Sequence, residues 1–339
     1  MLERRQTRPA VESIDGFTIR TFPNALELGT VPLTPTMFKE IARFDCDILH
    51  AHTILSPASF YSALASKVSR KPLVVTQHDY IYGGVHGPKL FLHTMNNNTF
   101  GRFTMHSASA VIGLSSAAAR FVRRFGATEA KTRIIPNSVD TTLFRPDQPN
   151  ILKKKWGIEG PVVLFVGRLT KQKRVDILLR AVREIVSDVP NTSLALVGSG
   201  PDESALRALQ AQLGLDRIFF LGRTSWEQMR YIYPGCKVLV LPSVYEPFGN
   251  VVLEAMASGV PVVGSNIGGM ADIIREGETG YRITPGDVQQ LSTSLGRLLT
   301  DDGLRSRMAE AARKVAVERY DDVVMARSVE DLYRQCLGG

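Results

Sequence analysis

The sequence is poor in cysteine and lacks any long apolar run. Its three cysteines, Cys46, Cys236 and Cys336, are isolated and odd in number, which argues against a disulfide framework or a zinc knuckle and suits a reducing compartment. No apolar stretch approaches the roughly 18–20 residues that a membrane span requires. The N-terminus, MLERRQTRPAVES, is charged and lacks the apolar segment of a secretory signal. We therefore expect a cytoplasmic protein.

Positive charge is concentrated in the first half of the chain. The net charge is +8 over 339 residues, and most of the excess lies within the first 150. Its clusters are Arg4, Arg5 and Arg8; Lys67, Arg70 and Lys71; and Arg120, Arg123 and Arg124. These groups could be ordinary solvated surface, or they could place the first half against an anionic membrane. Nucleic acid is not expected as a partner, because the clusters lack the interleaved aromatic residues that stack on bases.

Apolar, β-branched runs alternate with helical patterns along almost the whole chain. The predicted strands are 17–22, 47–52, 73–78, 110–115 and 132–137 in the first half, and 162–167, 193–198, 218–222, 238–243, 260–265 and 280–284 in the second. Most are continuously apolar, as parallel strands are when helices cover both faces of the sheet, and helical patterns such as 175–189 and 203–214 separate them. The pattern predicts a doubly wound α/β fold with strands for two sheets.

A segment rich in proline and turn-forming residues, 136–150, is the predicted connector between two domains. We expect a first domain over 1–140 and a second over 141–320. A final helix, predicted over 321–337, could pack on either domain, and we assign 321–339 to the first.

Several stretches of the second half lie where a strand turns into a helix, which is the edge at which open α/β sheets bind ligands. The first stretch, VGRLTKQKRVD at 166–176, carries Arg168 and Lys173, two cations that suit a diphosphate, although a basic loop would look the same. The glycine-rich turns at 197–204 and 265–284 could hold phosphates or could be structural punctuation.

Another such stretch, SVYEPFGNVVLEAMASG at 243–259, holds two glutamates. Glu254 falls within an apolar run, where a carboxylate without a partner is costly, so either a ligand or an internal partner such as an arginine or a backbone amide should bond to it. Gly249 lies at the start of the predicted helix. The amides of Gly249, Asn250 and Val251 would then point unpaired out of its first turn, where they attract anionic oxygens.

Together these stretches resemble the GT-B glycosyltransferases, specifically the retaining, nucleotide-sugar-dependent family 4. The matching pieces are GRLTKQK (167–173), LVGSGP (196–201), FLGR (220–223), EPFGNVVLEAMASGVPVV (246–263), GG (268–269) and GETGY (277–281), with DILHAH, TQHD and IIPNSVDTTLFRP in the first half. The resemblance implies two Rossmann-like parallel-sheet domains facing a cleft, the first one shortened. It also implies transfer of a sugar from a nucleoside-diphosphate sugar to a glycan or lipid-linked acceptor, which an anionic membrane could carry.

The resemblance assigns a role to each matching residue of the second half. Arg168 and Lys173 would hold the donor's pyrophosphate and stabilise the leaving nucleoside diphosphate. Glu246 and Glu254 match the family's E-x7-E spacing; Glu246 would bind hydroxyls of the transferred sugar and Glu254 those of the ribose. Backbone amides near Phe248–Asn250 would lie close to the sugar and its phosphate.

Further roles concern the base, the sugar and a possible metal. The backbone at Arg223 resembles the segment that reads the nucleobase edge. His78 matches a histidine that reaches across the cleft to the donor sugar, although a satisfied histidine at a strand end would look the same. No cofactor is expected, and Arg168 and Lys173 would replace a metal ion. The pair His50-x-His52 lacks an accompanying acidic or cysteine cluster and is a poor metal candidate.

The mechanism implied is a front-face attack with retention, in which the leaving phosphate itself accepts the acceptor's proton. Two other functions compete with it. A non-catalytic nucleotide-sugar-binding subunit would keep the donor residues but lack a complete acceptor domain, and turnover abolished by Glu246→Ala would argue against it. A GT-B-like sugar-nucleotide epimerase would need acid and base side chains at the sugar, and the sequence offers no convincing set.

The front of the first domain departs from the family pattern. The chain begins with a polar segment followed by IDGFTIRTF (14–22), which looks like the family's third strand, so the usual first strands and Gly-rich loop are expected to be missing. Such a loss would leave unpaired edges inside the sheet, and both an incomplete reading frame and a genuinely reduced domain remain open. Ser138 stands where the family prefers glycine, and we expect it to alter only the turn.

Overall fold

The computed structural model describes residues 10–22, 26–28, 31–54, 56–79 and 97–338. Its contacts divide the chain into two compact units. The first unit is Met1–Ile135 with Val329–Gly339, and the second is Pro136–Ser328. The last helix therefore begins in the second unit and ends in the first.

The strands and helices have the following bounds. The strands are β1 (Ala10–Ile14), β2 (Phe17–Thr21), β3 (Leu26–Leu28), β4 (Val31–Leu33), β5 (Leu49–His52), β6 (Leu73–Gln77), β7 (Ala110–Gly113), β8 (Thr132–Ile134), β9 (Val162–Val166), β10 (Ser193–Val197), β11 (Ile218–Gly222), β12 (Val238–Leu241), β13 (Val262–Ser265) and β14 (Gly280–Ile283). The α-helices are Pro35–Arg43, Pro57–Ser69, Arg102–Ser107, Ser116–Arg123, Leu152–Trp156, Val175–Ile185, Glu203–Gln212, Trp226–Met229, Asn250–Ala257, Met270–Ile273, Val288–Thr300, Asp302–Arg319 and Asp322–Leu337. Short 3-10 turns occupy Lys171–Lys173 and Tyr233–Gly235, and a π turn occupies Asn97–Gly101.

The second unit is built on a six-stranded, fully parallel sheet with the order β11-β10-β9-β12-β13-β14. Its central strands are buried along their whole length, which explains why their sequences are continuously apolar. The strand order reverses between β9 and β12, so the loops that leave these two strands diverge and open a crevice at the carboxyl edge of the sheet. The doubly wound prediction is confirmed for this unit.

Amphipathic helices close both faces of that sheet. Helix Val175–Ile185, for example, buries Leu178, Leu179 and Val182 at three- and four-residue spacing, while its charged side chains face solvent. Each fully buried leucine contributes about 1.5–3 kcal/mol relative to an exposed one. The helix packs beside Val288–Thr300, which buries leucines at the same spacing.

The first unit contains a four-stranded parallel sheet in which β5, β6, β7 and β8 follow one another in order. Helix Pro57–Ser69 leaves β5 and starts with a conventional cap: the Ser56 hydroxyl accepts the Ala58 amide at 3.2 Å, and Pro57 occupies the first helical position. The core beneath it includes Leu73, Val75 and Val111. The parallel sheet predicted for the first half is thus confirmed for the strands from β5 onward.

The segment that looked like a third parallel strand, 14–22, forms a hairpin instead. Strand β2 pairs antiparallel with β1, a strand that the sequence analysis missed. The turn between them, Asp15–Gly16, has φ of 50° and 84°, and such a pair of left-handed residues is the signature of a two-residue hairpin turn. The strand is exposed along its whole length, and Phe17 beside the turn is 74% exposed.

The connector is fastened to the start of the last helix within the second unit. The Val139 amide donates to the Tyr320 carbonyl at 2.8 Å, and the Thr141 hydroxyl donates to the Asp321 carboxylate at 2.5 Å. Ser138 donates to Asp322 at 2.5 Å. The expectation that Ser138 alters only the turn was therefore too narrow, because its hydroxyl also ties the connector to the helix. No helix of the described residues is both long and apolar enough to cross a membrane.

Candidate functional site

An ion pair joins the two sides of the crevice in the second unit. Lys173 lies in the turn that follows β9, and Glu246 lies in the loop that follows β12. The Lys173 ammonium is 2.5 Å from Oε2 of Glu246, and their side chains are only 21% and 11% exposed. The pair therefore sits at the point where the strand order reverses, with each charge largely shielded from water by protein.

The helix Asn250–Ala257 begins a few residues after Glu246. Gly249 precedes it with φ of +94°, a conformation that a side chain would strain, and no side chain caps the helix. Within the described part of the chain, the amides of Gly249, Asn250 and Val251 have no protein acceptor. Phe248 is buried beside this end. The arrangement offers free N–H groups to an anion, as the sequence predicted from the glycine and the helix pattern.

Glu254 lies on the same helix, is 8% exposed and has internal partners. The phenol of Tyr233 donates to its Oε2 at 2.7 Å. Burial raises the pKa of the Glu254 carboxyl above its ordinary value, and the side chains of Tyr233 and then Trp226 offset part of that rise. Burial also raises the pKa of Tyr233 well above 10, so its hydroxyl remains a donor. Among the residues that the structure describes, the internal hydrogen-bond partner is thus a tyrosine, whereas the sequence suggested an arginine or a backbone amide.

A pocket of about 590 Å³ opens at the carboxyl ends of β9, β10 and β11. Its lining combines the glycine-rich turn Gly198–Gly200 with Arg168, Arg223 and Met229. Arg168 and Arg223 are exposed, and neither guanidinium has a hydrogen-bonding or ion-pair partner among the residues that the structure describes. The pocket thus offers two unpaired cations beside backbone that lies close to the sheet edge.

His78 belongs to the first unit, where three histidines meet at the carboxyl ends of β5 and β6. His52 Nδ1 lies 2.8 Å from His78 Nε2, and the rings of His50 and His52 stack at 4.7 Å. Both nitrogens of His50 are hydrogen-bonded, one to Thr76 Oγ1 at 2.7 Å and one to the Tyr333 hydroxyl. Burial and then the neighbouring histidines lower the pKa of His50 to about 4. Burial, followed by proximity to His78, lowers that of His52.

Within the described ranges, no group of three or more histidine, cysteine, aspartate or glutamate side chains is arranged to hold a metal ion. The acidic triplet Asp45-Cys46-Asp47 is not part of such a group. Both of its aspartates are exposed, and it precedes β5, so it lies at the amino end of its sheet. The candidate site residues of the second unit lie at the opposite, carboxyl edge of theirs.

Sequence reasoning missed two residues of this site, Tyr233 and Trp226. The only signal was the apolar surroundings of Glu254, which demanded a donor without saying which. Tyr233 is 21 positions away in the chain, and no spacing rule connects the two. Of the predicted residues of the second unit, Arg168 and Arg223 line one pocket, and Lys173 and Glu246 form one ion pair.

Two family models together match almost the whole chain. One, described as "Glycosyl transferases group 1", matches residues 148–315. The other, described as "Glycosyltransferase Family 4", matches residues 3–143.

Individual relatives match across both units. The chain is 30% identical over 300 residues to the uncharacterized glycosyltransferase MJ1607 of Methanocaldococcus jannaschii. The match covers 85% of the chain and 75% of that protein. It is 32% identical over 304 residues to the sulfoquinovosyl transferase SQD2 of Arabidopsis thaliana, covering 86% of the chain and 57% of SQD2. The chain therefore spans little more than half the length of that plant enzyme.

A solved structure of similar shape comes from Anabaena. Alr3699/HepE in complex with UDP superposes with a TM-score of 0.78 at 27% identity, covering 93% of this chain and 85% of that one. The same protein has also been solved in complex with UDP-glucose, with a TM-score of 0.75.

Proposed function

This chain belongs to the family 4 glycosyltransferases of the GT-B fold, and we propose that it transfers a sugar, with retention, from a UDP-sugar to a glycan or lipid-linked acceptor. The observation that carries the proposal is the grouping of Arg168, Lys173, Glu246 and a free helix end at one sheet edge of the second unit. The choice of uridine rests on the Anabaena neighbour, whose structures contain UDP and UDP-glucose.

The donor would lie along the carboxyl edge of the sheet. The base would enter the pocket lined by Gly198–Gly200 and meet the backbone at Arg223, and the ribose hydroxyls would bond to Glu254. The pyrophosphate would lie between Arg168, Lys173 and the amides of residues 249–251, since guanidinium, ammonium and helix-end N–H groups all stabilise phosphate oxygens.

Glu246 would hold the hydroxyls of the transferred sugar, with its carboxylate kept in place by Lys173. In the reaction, the bond between the anomeric carbon and the leaving phosphate oxygen breaks, and the acceptor oxygen bonds to the same face of that carbon. The acceptor's proton passes to the leaving phosphate oxygen. Arg168 and Lys173 stabilise the charge that develops on the diphosphate, so no metal ion is needed for that role.

The acceptor side is assigned to the first unit. His78 stays a predicted contact of the transferred sugar, held by its hydrogen bond to His52. A lipid-linked acceptor fits the excess of basic residues in the first 150 positions, which would favour peripheral contact with an anionic membrane at its cytoplasmic face. If this contact exists, the protein sediments with anionic liposomes and salt releases it; sedimentation that ignores lipid charge would refute it.

Calorimetric titration with UDP, GDP and ADP tests the donor site directly. We expect UDP to bind, and a UDP-sugar to be turned over to a product with the anomeric configuration of the donor, which NMR of the glycoside measures. No binding of any of the three nucleotides at millimolar concentration would overturn the donor assignment. An inverted product would leave the donor assignment standing and overturn the mechanism.

A further inference from the structure

One neutral donor holds the carboxylate of Glu254, and an aromatic ring packs against that donor. Tyr233 is completely buried and donates at 2.7 Å. The ring of Phe144, itself fully buried, makes edge-on contacts with Tyr233 and with Trp226, with centroids at 5.9 Å and 5.3 Å. Phe144 therefore helps to hold the donor side chain in place.

This donor leaves the carboxylate only partly satisfied. An ionised carboxylate offers about four lone-pair sites, and the Tyr233 hydroxyl occupies one of them. Among the described residues, no lysine or arginine lies within ion-pair distance of Glu254. Its charge, which burial disfavours, is therefore stabilised by neutral hydrogen bonds alone, and a further pair of donors at the open sites would gain more here than in water.

We propose that Tyr233 is a positioning residue that makes nucleotide binding selective for ribose over deoxyribose. The inference rests on the proposed role of Glu254 in holding the ribose. With the carboxylate fixed in orientation, its open sites match the two adjacent hydroxyls of a ribose. A ligand that lacks one of them leaves a buried, charged acceptor unpaired, and such sites discriminate more strongly than apolar pockets do.

The test compares dissociation constants for UDP, 2′-deoxy-UDP and 3′-deoxy-UDP in the natural protein and in Tyr233→Phe. The variant keeps an aromatic ring against Phe144 and removes the donor. We expect the natural protein to prefer UDP over each deoxy analogue by about 30-fold, within the range that a hydrogen bond to a charged group supplies. In the variant the preference should fall to about threefold, through weaker UDP binding and unchanged binding of the analogues.

Tyr231→Phe is the matched control, since it makes the same chemical change outside the cluster: Tyr231 contacts Arg230. It should keep the full preference. If Tyr233→Phe also keeps it, or if UDP and the analogues weaken equally, the inference is wrong. If the natural protein binds UDP without preferring it over the analogues, the proposed role of Glu254 and this inference are both wrong, whereas the assignment of the donor site stands.

A fluorescence measurement keeps the inference testable even where the Tyr233 variant does not fold, because it uses protein with Tyr233 intact. The chain has two tryptophans, so Trp156→Phe leaves Trp226 as the only one. Trp226 is 49% exposed, and UDP binding beside it should change its emission, with a midpoint equal to the calorimetric dissociation constant. An emission that saturating UDP leaves unchanged would place Trp226 away from the ligand and overturn the inference.

Discussion

Lys173 and Glu246 form a 2.5 Å ion pair between the loops that follow β9 and β12, the two strands at which the sheet order reverses. Each side chain is placed to meet the group proposed as its ligand. For the Lys173 ammonium that group is a diphosphate, and for the Glu246 carboxylate it is a sugar. The pair also keeps two charges compensated where little water reaches them. Ligand binding therefore does not have to create the pairing of these charges.

Substitutions of Glu246 and Lys173 should have different effects, one on turnover and the other on UDP affinity. Glu246→Gln keeps the shape of the side chain, so UDP affinity should change less than about twofold while turnover of the UDP-sugar falls at least about 100-fold. Lys173→Met should weaken UDP about tenfold, equivalent to ~1.4 kcal/mol, because it removes a charge from the diphosphate. Calorimetry with UDP and steady-state kinetics measure the two effects.

Lys171→Met is the control for this prediction, since Lys171 is exposed in the same short turn but has no part in the ion pair. It should leave both UDP affinity and turnover near their natural values. Equal losses of UDP affinity in Glu246→Gln and Lys173→Met would contradict the division of roles between sugar and diphosphate.

Glu254→Gln should stabilise the ligand-free protein while weakening UDP binding. Because burial raises the pKa of Glu254 in the folded state, the folded protein binds more protons than the unfolded chain above the ordinary pKa near 4.5. The ionised carboxylate therefore lowers stability as pH rises, and a neutral glutamine avoids this cost. A gain of about 1 kcal/mol would raise the melting temperature by about 2–4 °C in a unit of this size.

The pH dependence of that gain provides the check. The melting temperature of Glu254→Gln should exceed that of the natural protein at pH 7 and converge with it toward pH 4, where the natural carboxyl is protonated as well. A gain that stays constant between pH 7 and 4, or a variant less stable than the natural protein at pH 7, would show that burial of the charge is not the cause. A stabilised protein with weaker ligand binding is the usual trade at a functional site.

His50 should make the stability of the first unit depend on pH in the opposite sense. Its pKa is lowered to about 4 in the fold from an ordinary value of 6.5, so the unfolded chain binds more protons between these values. Stability is therefore full above about pH 6.5 and falls as pH drops toward 4. His52, whose pKa burial also lowers, adds to the same slope. Denaturant unfolding at successive pH values measures it.

His50→Asn should reduce that slope while costing some stability at pH 7, because the hydrogen bonds to Thr76 and Tyr333 are altered. His106→Asn, which changes an exposed histidine bonded to the Arg102 carbonyl, should leave the slope as it is. If His50→Asn keeps the full slope, the loss of stability in acid has another origin.

How far the sequence predicts this protein differs between its fold and its site. The parallel strands were recoverable because burial on both faces makes a strand continuously apolar, as in VVLFV of β9 and SLALV of β10. The hairpin was not, because its strands are exposed and carry no burial pattern. The dipeptide Asp15–Gly16, which forms the turn between them, was the available signal, and the sequence analysis did not use it.

A similar limit applies to the prediction of the site. The sequence singled out Arg168 and Lys173 as cations at a sheet edge and Glu254 as a charge in an apolar run, and the family resemblance added Glu246 as a candidate. It did not predict that Glu246 pairs with Lys173, or that Tyr233 donates to Glu254, because those contacts depend on how loops from different strands meet. Local periodicity carries no information about such meetings, and the partner of a buried charge becomes visible only when the chain is folded.

Arg313 supplies the last prediction, because its guanidinium ties the connector to the helix that carries Glu254. It donates to the carbonyls of Thr141 and Phe144 in the connector at 3.0 and 2.8 Å and to that of Ala257, the last residue of the helix, at 2.7 Å. Arg313→Met leaves three carbonyls without this donor and should lower stability by about 2 kcal/mol. A lysine cannot reproduce the fork of the guanidinium, so the stability of Arg313→Lys should lie between that of the natural protein and that of Arg313→Met.

The comparison variant is Arg307→Met, at an exposed position of the same helix, which should unfold at the natural denaturant midpoint. Because Phe144 packs against Tyr233, the donor to Glu254, releasing its carbonyl should also weaken UDP more than 2′-deoxy-UDP. A loss of stability with no change in that ratio would mean that Phe144 keeps its place without Arg313, and the brace would then depend on ring packing alone.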